Sequence, residues 1–254
     1  MADHILFVGQ YNASQFNTAF WSLVIEMRIS IIFPLLCLLV LRIRPWISIA
    51  MVCAISIVAS YFEGKAGLNA MELNAHYMGF FIIGILLAQY KAPLVKWTSS
   101  FSLRVAVTWF AAALFLYWYG KFAAMLFAKY ILKAADVKLI GYEWASGIGA
   151  AVLIVLSFSF LPFSQFLLSR IPQYLGKISY GIYLVHSTIL FALLHLMSKK
   201  VPLEVILAIY ILLVLLIATV MYKYVEKPAI DFGRQIASRV NLFVLRPHLP
   251  TPHA

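Results

Sequence analysis

The stretch FNTAFWSLVIEMRISIIFPLLCLLVL, residues 16–41, decides the fold. It passes from a polar lead-in to an apolar run long enough to cross a bilayer, for which about 20 residues are needed. Yet Glu26 and Arg28 stand just inside the start of that run. An ionisable side chain at membrane depth costs a few kcal/mol, so it normally faces protein or a water-filled cavity. Ser22, Glu26 and Ser30 follow i, i+4, i+8 spacing and share one helical face, which Phe33 extends. That face is expected to point into a bundle. Arg28 falls nearly opposite Glu26, so it suits another helix or the outer headgroups better than Glu26 itself. A plainer reading makes Trp21 an interfacial anchor, with Glu26 about 8 Å further along the axis and still within reach of water.

The rest of the chain repeats the signal. Of 254 residues, 64% are hydrophobic and 11% charged, against roughly 25% charged in a soluble domain. Seven apolar runs stand out, at 19–42, 46–62, 75–90, 103–120, 145–163, 179–198 and 204–223. The expected fold is an all-α, polytopic transmembrane helix bundle over residues 1–233, followed by a basic, disordered cytoplasmic tail, 234–254. The opening MADHILFVGQYNASQFNT lacks the basic start, apolar middle and small-residue cleavage site of a signal peptide. Cys37 and Cys53 fall inside spans, where they read as packing residues, and no CxxC or HExxH spacing points to a metal.

The net charge of +11 would suggest nucleic acid in a soluble protein. Here the Lys and Arg lie between spans, so they are orientation signals and the expected partner is lipid. With the N-terminus outside, the inner connections and tail hold twelve of them and the outer connections seven, with Arg28 inside the first span. That bias predicts N-terminus out and C-terminus in the cytoplasm. In the tail, Arg239 and Arg246 suit anionic headgroups. The connection KFAAMLFAKYILKAADVKLIGYE, 121–143, is too apolar for an ordinary loop and too interrupted by Lys for a span, so an interfacial helix is expected.

A second polar stripe lies in LGKISYGIYLVHSTILFALLHLM, 175–197, where Ser179, Tyr183 and His186 sit at i, i+4 and i+7. A lone intramembrane His is often a hydrogen-bonded packing residue, but hydroxyl, phenol and imidazole on one face also suit a site. His195 and His76, near span ends, take the packing or interfacial reading. Glu26 lies about 8 Å below the outer face and His186 some 10 Å above the inner face of a core about 30 Å thick, which leaves roughly 12 Å of depth between them. A direct pair is not expected from unbroken helices.

At NTAFWSLVIEMRISIIFPLL the sequence resembles the W-S-L-x-x-E segment of the acyltransferase 3 family, through Asn17, Trp21-Ser22-Leu23, Glu26 and Phe33-Pro34. Three more segments agree in order: FFIIGILLA at 80–88, LGKISYGIYLVH at 175–186 and YVEKPA at 224–229. The resemblance implies a membrane acyltransferase that moves an acyl group, commonly acetyl, from acyl-CoA (acetyl-CoA) to a hydroxyl of a carbohydrate or small-molecule acceptor. O-acetylation of surface polysaccharide is one such role. No metal or nucleic acid is implied, and the expected setting is a bacterial inner (plasma) membrane. The site residues expected on this basis are Glu26 and His186 for catalysis, with Trp21, Ser22, Ser179 and Tyr183 for substrate binding. Glu26 would orient a base or bind sugar hydroxyls. The family's own presumed catalytic His precedes W-S-L-x-x-E, in a domain of about ten spans, so this chain reads as its C-terminal part, and inactivity as a fragment is one of the expectations. The alternatives are a polytopic transporter, or a non-catalytic remnant in which the small residues of ASGIGAA, 145–151, pack against other membrane proteins.

Overall fold

The computed structural model describes residues 20–66, 70–127, 129–130, 139–198 and 200–244. Among them there is no strand, and helices account for nearly every position. The elements are α1 (Phe20–Arg42), α2 (Pro45–Ala66), α3 (Ala70–Gln89), α4 (Lys91–Ser99), α5 (Leu103–Phe127), α6 (Leu139–Ser159), α7 (Leu161–Leu168), α8 (Arg170–Met197), α9 (Leu203–Met221), a π-helical turn (Tyr222–Glu226) and α10 (Lys227–Val244). Six of the seven apolar runs each fall on one helical stretch, and the seventh, 145–163, crosses the break between α6 and α7. Ser22–Arg42, Leu103–Phe127, Arg170–Met197 and Leu203–Ser238 are each long and apolar enough to cross a membrane alone. Two bent pairs raise the number to six, and the apolar part of α2, Pro45–Ser56, is shorter. Side chains such as Ile31, Leu35 and Leu212 are about 70% exposed, as suits helices whose solvent is hydrocarbon. This is an integral membrane protein.

The bends have local causes. α3 gives way to α4 at Tyr90 with a turn of 71°, and α6 to α7 at Phe160 with a turn of 88°. Phe160 is extended, and Pro162 opens α7, where its missing N–H costs no helical bond. α4, with Lys91, Lys96 and the exposed Trp97, has the residues of an interfacial segment. Pro34 lies inside α1 without ending it.

The chain forms two compact units, Phe20–Ser169 and a second that begins at Arg170. In the first, Leu36 and Val40 of α1, Val52 of α2 and Ile82, Ile85 and Leu86 of α3 make a buried core. α5 and α6 pack along their length at very short range. A Cβ on Gly149 would lie 2.6 Å from the Tyr117 nitrogen and 2.7 Å from the Ala113 oxygen, and one on Gly147 would run into the Phe80 ring. The small residues of 145–151 thus serve contacts within this chain. In the second unit, α8 meets α9 where Gly181 faces Ala218, with Ile178, Leu193, Ile206 and Val214 buried.

Two expectations need adjusting. The segment expected to lie as an interfacial helix from residue 121 instead continues α5 to Phe127 past a break in helical geometry at Tyr119, while 131–138 lies outside the described residues. The tail beyond Arg234, expected to be irregular, stays helical to Val244. Its alternation of Ile230, Ile236 and Val240 with Lys227, Arg234 and Arg239 is amphipathic and provides the local reason. Residues 245–254, with Arg246, lie outside the described residues.

Candidate functional site

In the first unit, the start of the polar face of α1 borders a cavity shared with α3. Ser22, Ile25 and Glu26 of α1 and Tyr77 and Phe81 of α3 line a cavity of about 200 Å³. Ser22 is half-buried, whereas Glu26 and Ser30 are exposed. Trp21 is in α1, and its side chain lies outside what is described. Arg28 is half-buried.

Tyr77 connects this cavity to a second set of polar groups. Its hydroxyl donates to Glu143 Oε1 of α6 at 2.7 Å. The other carboxyl oxygen, Oε2, lies 2.8 Å from His76 Nε2. His76 is only 1% exposed, and Glu143 is 25% exposed at its side chain. With Glu143 ionised, the carboxylate only accepts, so Nε2 carries the hydrogen and Nδ1 is left with its lone pair. Nδ1 is buried and has no hydrogen-bond partner among the described residues. An unsatisfied buried polar atom costs about 1–3 kcal/mol. The imidazole is walled by rings, with Phe80 at 5.4 Å and Trp144 at 5.9 Å, both edge-on. Trp144 is fixed in turn by its Nε1–H, which donates to Ser56 Oγ of α2 at 2.9 Å. Helices α2, α3 and α6 are thereby tied by one aromatic and polar cluster, and α1 borders it across the cavity.

A longer apolar groove of about 540 Å³ begins beside this cavity, sharing Phe81 with it, and runs between α1 and α3 past Phe33, Cys37 and Gly84 to Leu41 and Gln89. Gly84 has nothing within 4 Å of where a Cβ would stand, so its missing side chain widens the groove. At the same end of α3, Lys91 lies 3.9 Å over the Phe158 ring.

Residues 4–223 match the family described as acyltransferase domain. The chain belongs to the acyltransferase 3 family. No curated protein and no solved structure matches it. The family's W-S-L-x-x-E segment is therefore the part of α1 that lines the cavity, and its F-x-x-G-x-x-x-A segment is the part of α3 that floors the groove.

The other expected residues belong to the second unit. Ser179 is exposed and donates to the Gly176 carbonyl of its own helix at 2.9 Å. His186 is half-buried, with Nδ1 2.7 Å from the Tyr183 carbonyl, and the Tyr183 and His186 rings are 5.9 Å apart. A hydrogen on Nδ1 makes that bond and leaves Nε2 as the acceptor. Within this unit the YVEKPA segment runs from the π turn into α10, and Glu226 at the end of the turn sits against Gly181.

His76, Tyr77 and Glu143 are the polar cluster that sequence reading passes over. His76 reads as a packing residue at a span's start, and Glu143 as the end of a connection. The available signal is position along the spans: Glu26, His76 and Glu143 fall near the starts of the first, third and fifth apolar runs. Among the described residues no group of His, Cys, Asp and Glu is arranged to hold a metal ion.

Proposed function

We propose that this protein is a membrane-embedded O-acyltransferase that moves an acetyl group from acetyl-CoA to a hydroxyl of a carbohydrate acceptor. One observation carries the reading: the W-S-L-x-x-E face of α1 opens a cavity whose opposite wall is Tyr77, itself bonded to a half-buried carboxyl that also holds a buried imidazole. The reaction needs a base for the attacking hydroxyl and donors for the oxyanion that develops on the thioester carbonyl. Ser22 and Glu26 suit sugar hydroxyls. The donor's extended, largely apolar thioester arm suits the α1–α3 groove, which runs from the cavity towards the end of α1 that carries Arg42. The excess of Lys and Arg on the same side of the spans supports a cytoplasmic mouth for that groove, an outward-facing acceptor cavity and a C-terminus inside. Ser179, Tyr183 and His186 form a second polar face, and His186 Nε2 is the competing base.

A transporter reading draws on the two bent helix pairs, since discontinuous spans house many transport sites. The bends argue for a different role. Asn74–Gln89 covers about 24 Å before the turn at Tyr90, so the break falls at the end of a span and not at the midplane.

The test is transfer of labelled acetyl from acetyl-CoA to a membrane glycan fraction by the wild-type chain and by Glu26→Gln. Transfer by the wild type and at least a tenfold loss in the variant are expected, in line with removal of a charged hydrogen-bonding group. Unchanged transfer by the variant would take Glu26 out of the site.

A further inference from the structure

We propose that the bend between α3 and α4 is a binding site for an anionic phospholipid, which lays an acyl chain among α3, α4, α5 and α6 and sets its phosphate on Lys91. The inference goes beyond the acyl-transfer reading and stands without it.

Two adjoining spaces make the site. The inner one, of about 180 Å³, is bounded by Leu87 of α3, Trp97 of α4, Trp109 of α5 and Leu156 of α6. The outer one, of about 240 Å³, reaches Gly84, Lys91 and Phe158. Leu87, Leu94 and Val155 line both, so one runs into the other. Thr98 supplies the one hydroxyl among the lining residues, and it is buried and donates to the Leu94 carbonyl of its own helix at 2.9 Å. The walls thus offer nothing to water, and apolar cavities of this kind stay dry. The rim is open, since Trp97, Trp109, Ile154 and Phe158 are each about half exposed. In a bilayer the solvent at that rim is hydrocarbon, and Trp97 and Trp109, with ring centroids 6.4 Å apart, are residues of the headgroup boundary.

Charge selects the headgroup. Lys91 lines the outer space, and its ammonium is held 3.9 Å over the Phe158 ring of the same wall. The cation therefore stands at the mouth of an apolar slot. Lys96 and Arg104 follow close by, and no Asp or Glu occurs anywhere from residue 77 to 135. Basic pockets between membrane helices are the sites that anionic lipid headgroups take. The 71° turn from α3 into α4 lays α4 along the membrane more than across it. Leu94 and Thr98 then cover the slot, while Lys96, two residues from each, points to the other side of the helix. Lys91 is accordingly the cation that meets a bound phosphate, and Lys96 contributes only to the general attraction of the segment.

The experiment uses the full chain purified in a non-ionic detergent. Phosphatidylglycerol and phosphatidylcholine with identical acyl chains are titrated in at physiological salt, and native mass spectrometry reads the lipid retained. One phosphatidylglycerol per chain is expected, bound about tenfold or more tighter than phosphatidylcholine, in line with a hydrogen bond between charged partners. Lys91→Gln is expected to abolish that preference. Lys96→Gln removes the same charge from the far side of α4 and is expected to change phosphatidylglycerol binding less than about threefold, because salt screens exposed charges. Both lysines are exposed, so both variants are expected to fold. Gly84→Leu, at a position with nothing within 4 Å of the new Cβ, fills part of the outer space and is expected to weaken both lipids. Equal binding of the two lipids by wild type overturns the site. So do equal losses in Lys91→Gln and Lys96→Gln, which would reduce it to diffuse attraction. Displacement of phosphatidylglycerol by stoichiometric acetyl-CoA also overturns it, by giving the space to the acyl donor. Absence of acetyl transfer by the chain would bear on the acyl-transfer reading alone.

Discussion

His76 and His186 are both histidines in apolar helices, and they have been solved by the fold in opposite ways. His186 is half-buried and bonds the carbonyl three residues back in its own helix. His76 is fully buried and bonds a carboxyl 67 residues away on another helix, inside a cage of rings. The first arrangement needs only the helix it sits on. The second needs α2, α3 and α6 in register, and its carboxyl also bonds Tyr77, which lines a cavity. A polar residue satisfied by its own backbone asks little of the fold, whereas one satisfied across helices commits three of them.

That contrast can be broken by stability measurements in detergent. Glu143→Ala removes the acceptor of the Tyr77 hydroxyl and of His76 Nε2, and is expected to destabilise the first unit by about 2 kcal/mol. An unfolding titration would read it directly, and a loss no larger than that of a surface change would mean the cluster holds nothing together. His186→Ala removes a half-buried ring and a local bond, with a smaller cost of about 1 kcal/mol expected in the same assay. Ser179→Ala, at an exposed hydroxyl bonded only to its own helix, is expected to stay within about 0.5 kcal/mol of wild type. The order of these three is the sharper test. If Ser179→Ala cost more than Glu143→Ala, the two regions would have been ranked the wrong way round.

The sequence revealed most of the fold, because bilayer thickness and helical rise turn apolar runs directly into helices. The runs are helical apart from the break at Phe160, and the Ser22–Glu26 face was legible from i, i+4 spacing alone. The bends at Tyr90 and Phe160 were not, although Pro162 marks one of them. The stripe rule also has a blind side, since it compares residues on one helix. Tyr77 and Glu143 are 66 positions apart, and nothing in the pattern of either helix says that α3 and α6 are neighbours. Glu143 was further hidden by the Lys-rich segment before it, which made the whole of 121–143 read as a connection. In the tail, the basic, Pro-containing end RPHLPTPHA suggested irregular chain from 234 onward, while the apolar side of α10 continues through Ile236 and keeps the chain helical to Val244. Position along the runs is the better guide to the cluster: His76 and Glu143 stand at the starts of the third and fifth apolar runs, as Glu26 stands near the start of the first.

The central claim is that acyl transfer uses the W-S-L-x-x-E face of α1 and not the stripe on α8. The most direct measurement is the rate of acetyl transfer from labelled acetyl-CoA by Glu26→Gln and by His186→Gln, each in membranes at equal protein. The account predicts a loss of about tenfold or more for Glu26→Gln and a change of less than about threefold for His186→Gln. Loss of transfer in His186→Gln with wild-type rates in Glu26→Gln would contradict it.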